Sequence, residues 1–204
     1  MKIAGLYAVT DAGCCGLEGR ERVRAALAGG ARMLQVRCKG SRPSVDATRA
    51  LVSLGHAYGA LVIVNDDVAL ARAAGADGVH LGREDMTLEA ARAALGPSAI
   101  IGVSCYADLD RARDAARYGA DYLAFGSFYP SRTKPHAVRA DPSLLTAARG
   151  LGKPLVAIGG ILPENGRTLI TAGASALAVI DGIFGHHDIE GAARAYQWLF
   201  EETL

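Results

Sequence analysis

The sequence predicts an α/β protein, a single-domain (β/α)8 TIM barrel spanning residues 1–204, on three observations. Eight short apolar runs alternate with amphipathic stretches along the whole chain. Each run is four to six residues long and contains Val, Ile, Leu or Tyr, as strands buried on both faces of a parallel sheet do. A Gly-Ala step recurs before every second run, at Gly30-Ala31, Gly75-Ala76-Asp77, Gly119-Ala120-Asp121 and Gly173-Ala174. The intervals are 45, 44 and 54 residues, roughly two strand–helix units each.

The predicted strands are Gly5–Thr10, Met33–Arg37, Leu61–Val64, Gly78–Leu81, Ile100–Ser104, Tyr122–Gly126, Pro154–Ile158 and Ala176–Ile180. Each is expected to be followed by a helix. Arg20–Leu27 is rich in Ala, Arg and Leu, and Ser44–Ala57 follows Pro43, placed as a favourable first-turn proline. Thr87–Leu95 starts on a capping Thr, carries Glu89 in its first turn and stops at Gly96-Pro97. Asp108–Tyr118, Pro142–Arg149, Pro163–Thr171 and Ile189–Glu201 follow. The repeated glycines fit helix ends that turn through the left-handed region into the next strand. A doubly wound open sheet is the alternative, disfavoured because no G-x-G-x-x-G follows the first run.

Composition excludes several classes. Half of the 204 residues are hydrophobic and 21% are charged, so the chain has a core and is not disordered. The net charge of +1 and 6% aromatic content predict neither a nucleic-acid partner nor a charged membrane surface. No uncharged apolar run approaches the ~18 residues of a membrane span, and Met1–Thr10 lacks the features of a secretory signal. The expectation is a cytoplasmic protein that acts on small molecules, with assembly into a homo-oligomer left open. Cys14, Cys15, Cys38 and Cys105 show no C-x-x-C spacing, so zinc is not expected and free thiols are the default. A redox role for the adjacent Cys14–Cys15 pair is the weaker alternative.

In a barrel of this kind function sits where strands end and helices begin, and the polar residues gather there. Thr10-Asp11, Arg37 with Lys39, Asn65-Asp66-Asp67, Arg83-Glu84-Asp85, Ser104, Ser131-Arg132-Thr133-Lys134 and Gly159-Gly160 follow the first seven runs in turn. The opposite rim holds mainly Gly, Ala and helix-surface charges. Gly159-Gly160 and Asp181-Gly182 occupy the corner where backbone amides and a helix start suit a phosphate, or they merely form tight turns. Asp66 and Asp85 leave neighbouring strands, and two converging carboxylates suit Mg²⁺; alternatively Asp66 caps a helix. Arg37 and Lys39 alternate, so both can point to one side, as anion binders or as a solvated rim. Together these features predict two phosphorylated ligands, one a diphosphate.

These segments resemble the thiamine phosphate synthase family over nearly the whole chain. The resemblance is carried by Leu6–Asp11, Gln35–Lys39, Asn65-Asp66, Gly78–Gly82 with Glu84-Asp85, Ile101–Ser104, Phe125–Lys134, Ala157–Ile161 and Ala178–Ile180. It implies a transferase that condenses 4-amino-5-hydroxymethyl-2-methylpyrimidine diphosphate with thiazole phosphate or its carboxylate, releasing pyrophosphate. Gln35, Arg37, Lys39, Asn65, Ser104 and Lys134 would bind the pyrimidine diphosphate, and Asp66 and Asp85 would hold Mg²⁺ on it. Ser131, Thr133, Gly160 and the Ile180-Asp181 backbone would hold the thiazole phosphate. Arg37, Lys39, Ser104 and Lys134 would carry the catalysis, with no general-base His or nucleophilic Cys.

Three positions depart from the family pattern: Cys38 between Arg37 and Lys39, Asp67 where Arg is common, and Asp181 where Ser usually stands. Cys38 and Cys105 are expected to pack away from the site, and His186-His187 to form a solvated loop. The segment Ser127–Ala140 has the length and charge of a lid. A thiazole tautomerase-like relative and a non-catalytic phosphate sensor are the rival readings; the basic residues and paired acids favour the synthase.

Overall fold

A computed structural model describes residues 2–14, 19–38, 40, 42–130 and 138–201. All eight predicted runs are strands: β1 (Gly5–Val9), β2 (Met33–Val36), β3 (Leu61–Asn65), β4 (Gly78–Leu81), β5 (Ile100–Tyr106), β6 (Tyr122–Phe125), β7 (Leu155–Ile158) and β8 (Ala176–Val179). They are parallel and close in sequence order, with Gly5 of β1 opposite Ala176 of β8. Among the described residues the helices are α1 (Gly19–Ala28), α2 (Val45–Ala57), α3 (Val68–Ala74), α4 (Leu88–Leu95), α5 (Leu109–Arg117), α6 (Ser143–Ala148), α7 (Pro163–Ala172), α8 (Asp181–Phe184) and α9 (Ile189–Glu201).

Side-chain parity sorts each strand into two layers, because successive residues face opposite sides. Tyr7, Val9, Met33, Leu61, Ile63, Tyr122, Ala124, Val156, Ala176 and Ala178 pack together inside the cylinder. Their alternates, including Leu6, Ala8, Leu34, Val36, Val62, Leu123, Leu177 and Val179, pack outward in the layer shared with the helices. Gly102 makes room inside, since a Cβ there would stand 1.9 Å from Cζ of Tyr122.

The helix starts are local chemistry. Ser44, Thr87 and Asp108 accept the amides of Ala47, Ala90 and Arg111 at 3.1, 3.3 and 3.0 Å, so each is a cap. Pro43 therefore lies before the cap of α2 instead of in its first turn. The recurring glycines Gly30, Gly75, Gly119 and Gly173 all have positive φ, which the turn into the next strand requires. Beside two of them, Asp77 and Asp121 accept the strand amides of Val62 and Ile101 at 2.6 and 2.7 Å. These rim carboxylates are structural, and their role appears only in three dimensions. Of the helices not individually predicted, α3 has seven residues and α8 four, too short to show a period.

Candidate active site

A cavity of about 350 Å³ opens at the end of the barrel where the strands finish. Gln35, Arg37, Asn65 and Ser104 reach it from β2, β3 and β5 or their ends, and Gly159, Gly160, Ile180 and Asp181 from the turns after β7 and β8. The predicted residues from separate strands thus share one cavity. Lys39, Ser131, Thr133 and Lys134 lie outside the described residues, as does the middle half of the expected lid, residues 131–137. That segment's ends meet: the Ala140 amide donates to the Ser127 carbonyl at 2.9 Å.

Asp66 lines a smaller adjoining space together with Arg37 and Asn65. The alternative role of Asp66 as a helix cap falls to its neighbour: Asp67 accepts the Leu70 amide at 2.8 Å and starts α3. Asp66 is left at the mouth with φ of 64°, a left-handed conformation uncommon outside glycine. Partial desolvation raises its carboxyl pKa to about 6, and the Asp85 carboxyl beside it adds to the rise, against the pull of Arg37. Asp85 is itself fixed, because its Oδ2 accepts the Gly82 amide at 2.6 Å. Two oxygen donors forced together at the entrance form an arrangement that a hard cation relieves. Among the described residues no third acid, His or Cys joins them.

The Gly-Gly corner has a steric reason. Gly160 has φ of 60°, and a Cβ there would meet the Pro130 carbonyl oxygen at 2.2 Å. Asn165 secures the turn, its Oδ1 accepting from the Leu162 amide at 2.9 Å and its Nδ2 donating to the Gly160 carbonyl at 3.2 Å.

Several contributors were not singled out from the sequence. Tyr7, His80 and Tyr106 also line the cavity. Tyr106 follows a register shift in β5 and has φ of 55°. Arg111 stands 5.8 Å from the Tyr106 ring centre, and it donates to the carbonyls of Ser104 and Gly82 at 2.7 and 3.0 Å. The inward parity of Tyr7 and His80 on their strands was the available signal, masked by their apolar surroundings in sequence.

The thiamine monophosphate synthase family model matches residues 6–183. The chain belongs to that family. It is 51% identical to the thiamine-phosphate synthase of Acidithiobacillus ferrooxidans, over 97% of this chain and 94% of the relative. It is 50% identical to that of Thioalkalivibrio sulfidiphilus, over 98% and 97%. Among solved structures, the thiamine phosphate pyrophosphorylase of Pyrococcus furiosus superposes with a TM-score of 0.88 at 36% identity, over 98% of this chain and 97% of that one.

The positions that depart from the thiamine phosphate synthase pattern now have places. Asp67 serves as the α3 cap and pairs with Arg42 at 2.6 Å. Asp181 turns back along α8, its Oδ1 lying 2.7 Å from where a Cβ on Gly185 would stand. Cys38 overturns two expectations: it is disulfide-bonded, and it lines the space beside Asp66. It stands half-buried on the segment leaving β2, where no core encloses its sulfur. Cys14 and Cys105 are free and buried. His186 and His187 are exposed, as expected. No helix among the described residues is long and apolar enough to cross a membrane.

Proposed function

We propose that the barrel mouth joins 4-amino-5-hydroxymethyl-2-methylpyrimidine diphosphate to thiazole phosphate, or to its carboxylate, in the cytoplasm. The protein is a transferase that forms thiamine phosphate and releases pyrophosphate. One observation carries the site reading: the Asp66–Asp85 carboxylate pair stands beside Arg37 at the edge of a cavity with polar end groups and apolar walls.

Asp66 and Asp85 would hold Mg²⁺. Two protein carboxylates are its usual complement when substrate phosphates and water supply the other positions. When bound, the ion neutralises diphosphate charge and so eases departure of pyrophosphate. The chain's own residues do the rest. Arg37, with Lys39 and Lys134, binds the diphosphate oxygens and stabilises the charge that grows on them as the C–O bond breaks. The bonding pair leaves with pyrophosphate, and the thiazole nitrogen supplies the pair for the new C–N bond. Where the thiazole carries its carboxylate, that group departs as CO₂, the C–C pair stays on the ring carbon, and a proton from solvent takes its place. Gln35, Asn65 and Ser104 orient the aminopyrimidine so that its cation forms facing the thiazole. Apolar walls from Val9, Ala124, Val156 and Ile158 keep water from intercepting it. Amides around Gly160 and Ile180-Asp181, with Ser131 and Thr133, hold the thiazole phosphate.

The test is incubation of the purified chain with both substrates and Mg²⁺, followed by detection of thiamine phosphate. Product that disappears in Asp66→Ala is expected. Absence of product, or an Asp66→Ala variant as active as the parent, overturns the assignment.

A further inference from the structure

A continuous line of hydrogen bonds crosses the barrel interior and ends on two walls of the cavity. Gln35 Nε2 donates to the Tyr7 hydroxyl at 2.9 Å, and the Tyr7 hydroxyl lies 3.0 Å from that of Tyr122. The Tyr122 hydroxyl is 2.9 Å from His80 Nδ1, and His80 Nε2 is 2.8 Å from Ser104 Oγ. The His80 ring stacks on Tyr122 at 5.5 Å between centres, while Tyr7 meets Tyr122 edge-on at 6.1 Å. Both tyrosines are buried, and burial raises both phenol pKa values, so each hydroxyl keeps its proton.

With a neutral imidazole, only two arrangements fill all four links and also use both phenol protons within the line. In the first, Gln35 Nε2 gives to Tyr7, Tyr7 to Tyr122, Tyr122 to His80 Nδ1, and His80 Nε2–H to Ser104. Gln35 then has its carbonyl oxygen left for the cavity, and Ser104 has its proton left for a ligand. In the second, the Gln35 amide is turned over and every donor reverses, leaving an N–H₂ at Gln35 and only lone pairs at Ser104. Mixed arrangements that fill every link make one phenol oxygen accept twice and strand its own proton, which is costly in this buried setting.

We propose that Tyr7, Tyr122 and His80 are positioning residues that couple the hydrogen-bonding senses of Gln35 and Ser104, so that the mouth offers an acceptor at Gln35 together with a donor at Ser104. A ring with an amino donor on one edge and a ring nitrogen or phosphate-ester oxygen as acceptor on another matches this pair. This specificity claim rests on the function proposed above, whereas the proton order itself does not.

The experiment begins on the full ligand-free chain labelled with ¹⁵N-histidine, with His80→Gln assigning the signal. Long-range proton–nitrogen correlation near neutral pH is expected to show one His80 tautomer, with the proton on Nε2. A proton on Nδ1, or a mixture of tautomers, overturns the proposal. Tyr122→Phe is expected to release His80 into such a mixture; an unchanged single tautomer overturns it. Affinity for the aminopyrimidine diphosphate is then measured in Gln35→Leu, Ser104→Ala and the double variant. The two changes are expected to be non-additive by about fivefold, as for residues in one network, and additive in the Tyr122→Phe background. Coupling that survives Tyr122→Phe overturns the relay. A chain that shows the single tautomer and the coupling yet makes no thiamine phosphate upholds the relay and overturns only the reaction assignment.

Discussion

The Thr10 hydroxyl holds both backbone polar groups of Arg37: it accepts the Arg37 amide at 2.8 Å and donates to the Arg37 carbonyl at 2.9 Å. Thr10 is fully buried at the end of β1, so the cation on the neighbouring strand is aimed by a side chain that never meets solvent. Thr10→Val keeps the shape and removes both bonds. Stability is expected to fall by about 1–3 kcal/mol, the cost of stranding partly buried polar groups. Affinity for the pyrimidine diphosphate falls with it. Thermal unfolding and calorimetric titration check the two effects, and unchanged values of both refute the link.

Asp66 makes stability depend on pH in a definite direction. Its pKa is about 6 in the folded chain against an ordinary value of 3.8, so the folded form binds the proton more tightly. Stability from this group is therefore present below 3.8 and is lost as pH rises through about 6. Urea unfolding of the metal-free chain across that window, compared with Asp66→Asn, isolates the contribution. Magnesium competes with the same proton, so its half-saturating concentration is expected to fall as pH rises through the window.

Arg111 fixes the backbone of Ser104 and Gly82 with one guanidinium, so Arg111→Lys removes a fork that a single ammonium does not reproduce. Turnover is expected to fall about tenfold, or ~1.4 kcal/mol of barrier, with KM for the thiazole phosphate little changed. Steady-state kinetics with each substrate varied in turn decide it.

At Gly160, any side chain meets the Pro130 carbonyl and a left-handed backbone at once. Gly160→Ala is expected to raise KM for thiazole phosphate about tenfold, in keeping with 1–3 kcal/mol of local strain. KM for the pyrimidine diphosphate changes far less. Equal effects on both substrates count against the phosphate corner.

Lys134→Ala tests a residue whose role rests on family resemblance. Turnover is expected to drop at least about tenfold. Unchanged turnover removes Lys134 from the diphosphate site.

Cys14 and Cys105 should be silent thiols. Burial pushes each up to about 12, first among the causes at both sites, so both remain protonated at mildly alkaline pH. Iodoacetamide is expected to modify them only after unfolding, as peptide mass spectrometry reads directly. Rapid labelling of either in the native chain contradicts this.

The strands were legible because each is a short apolar run bounded by turn residues, and the cap at Thr87 because it acts within three residues of itself. Ser44 and Asp108 were read only as helix starts, and their capping bonds came with the structure. Helix α3 was not legible, since seven residues hold too few apolar positions to reveal a period. The role of Asp66 was open for a related reason. Either carboxylate satisfies the local rule for a cap, and only the path of the chain out of β3 gives the cap to Asp67 and the mouth to Asp66. Cys38 was misread because a sulfur's partner is not written in its neighbours.

Local spacing, propensity and glycine placement were enough to dictate eight parallel units and the end at which polar groups collect, and the resemblance of the motif segments pointed to the family. Folding alone decided which side chains meet. Tyr7 and Tyr122 stand 115 positions apart, and their hydroxyls come within 3.0 Å only because closing the cylinder puts inward-facing residues of different strands in one layer. Periodicity is a property of neighbouring residues. Parity within a closed sheet, and the hydrogen bonds it permits, belong to the whole ring.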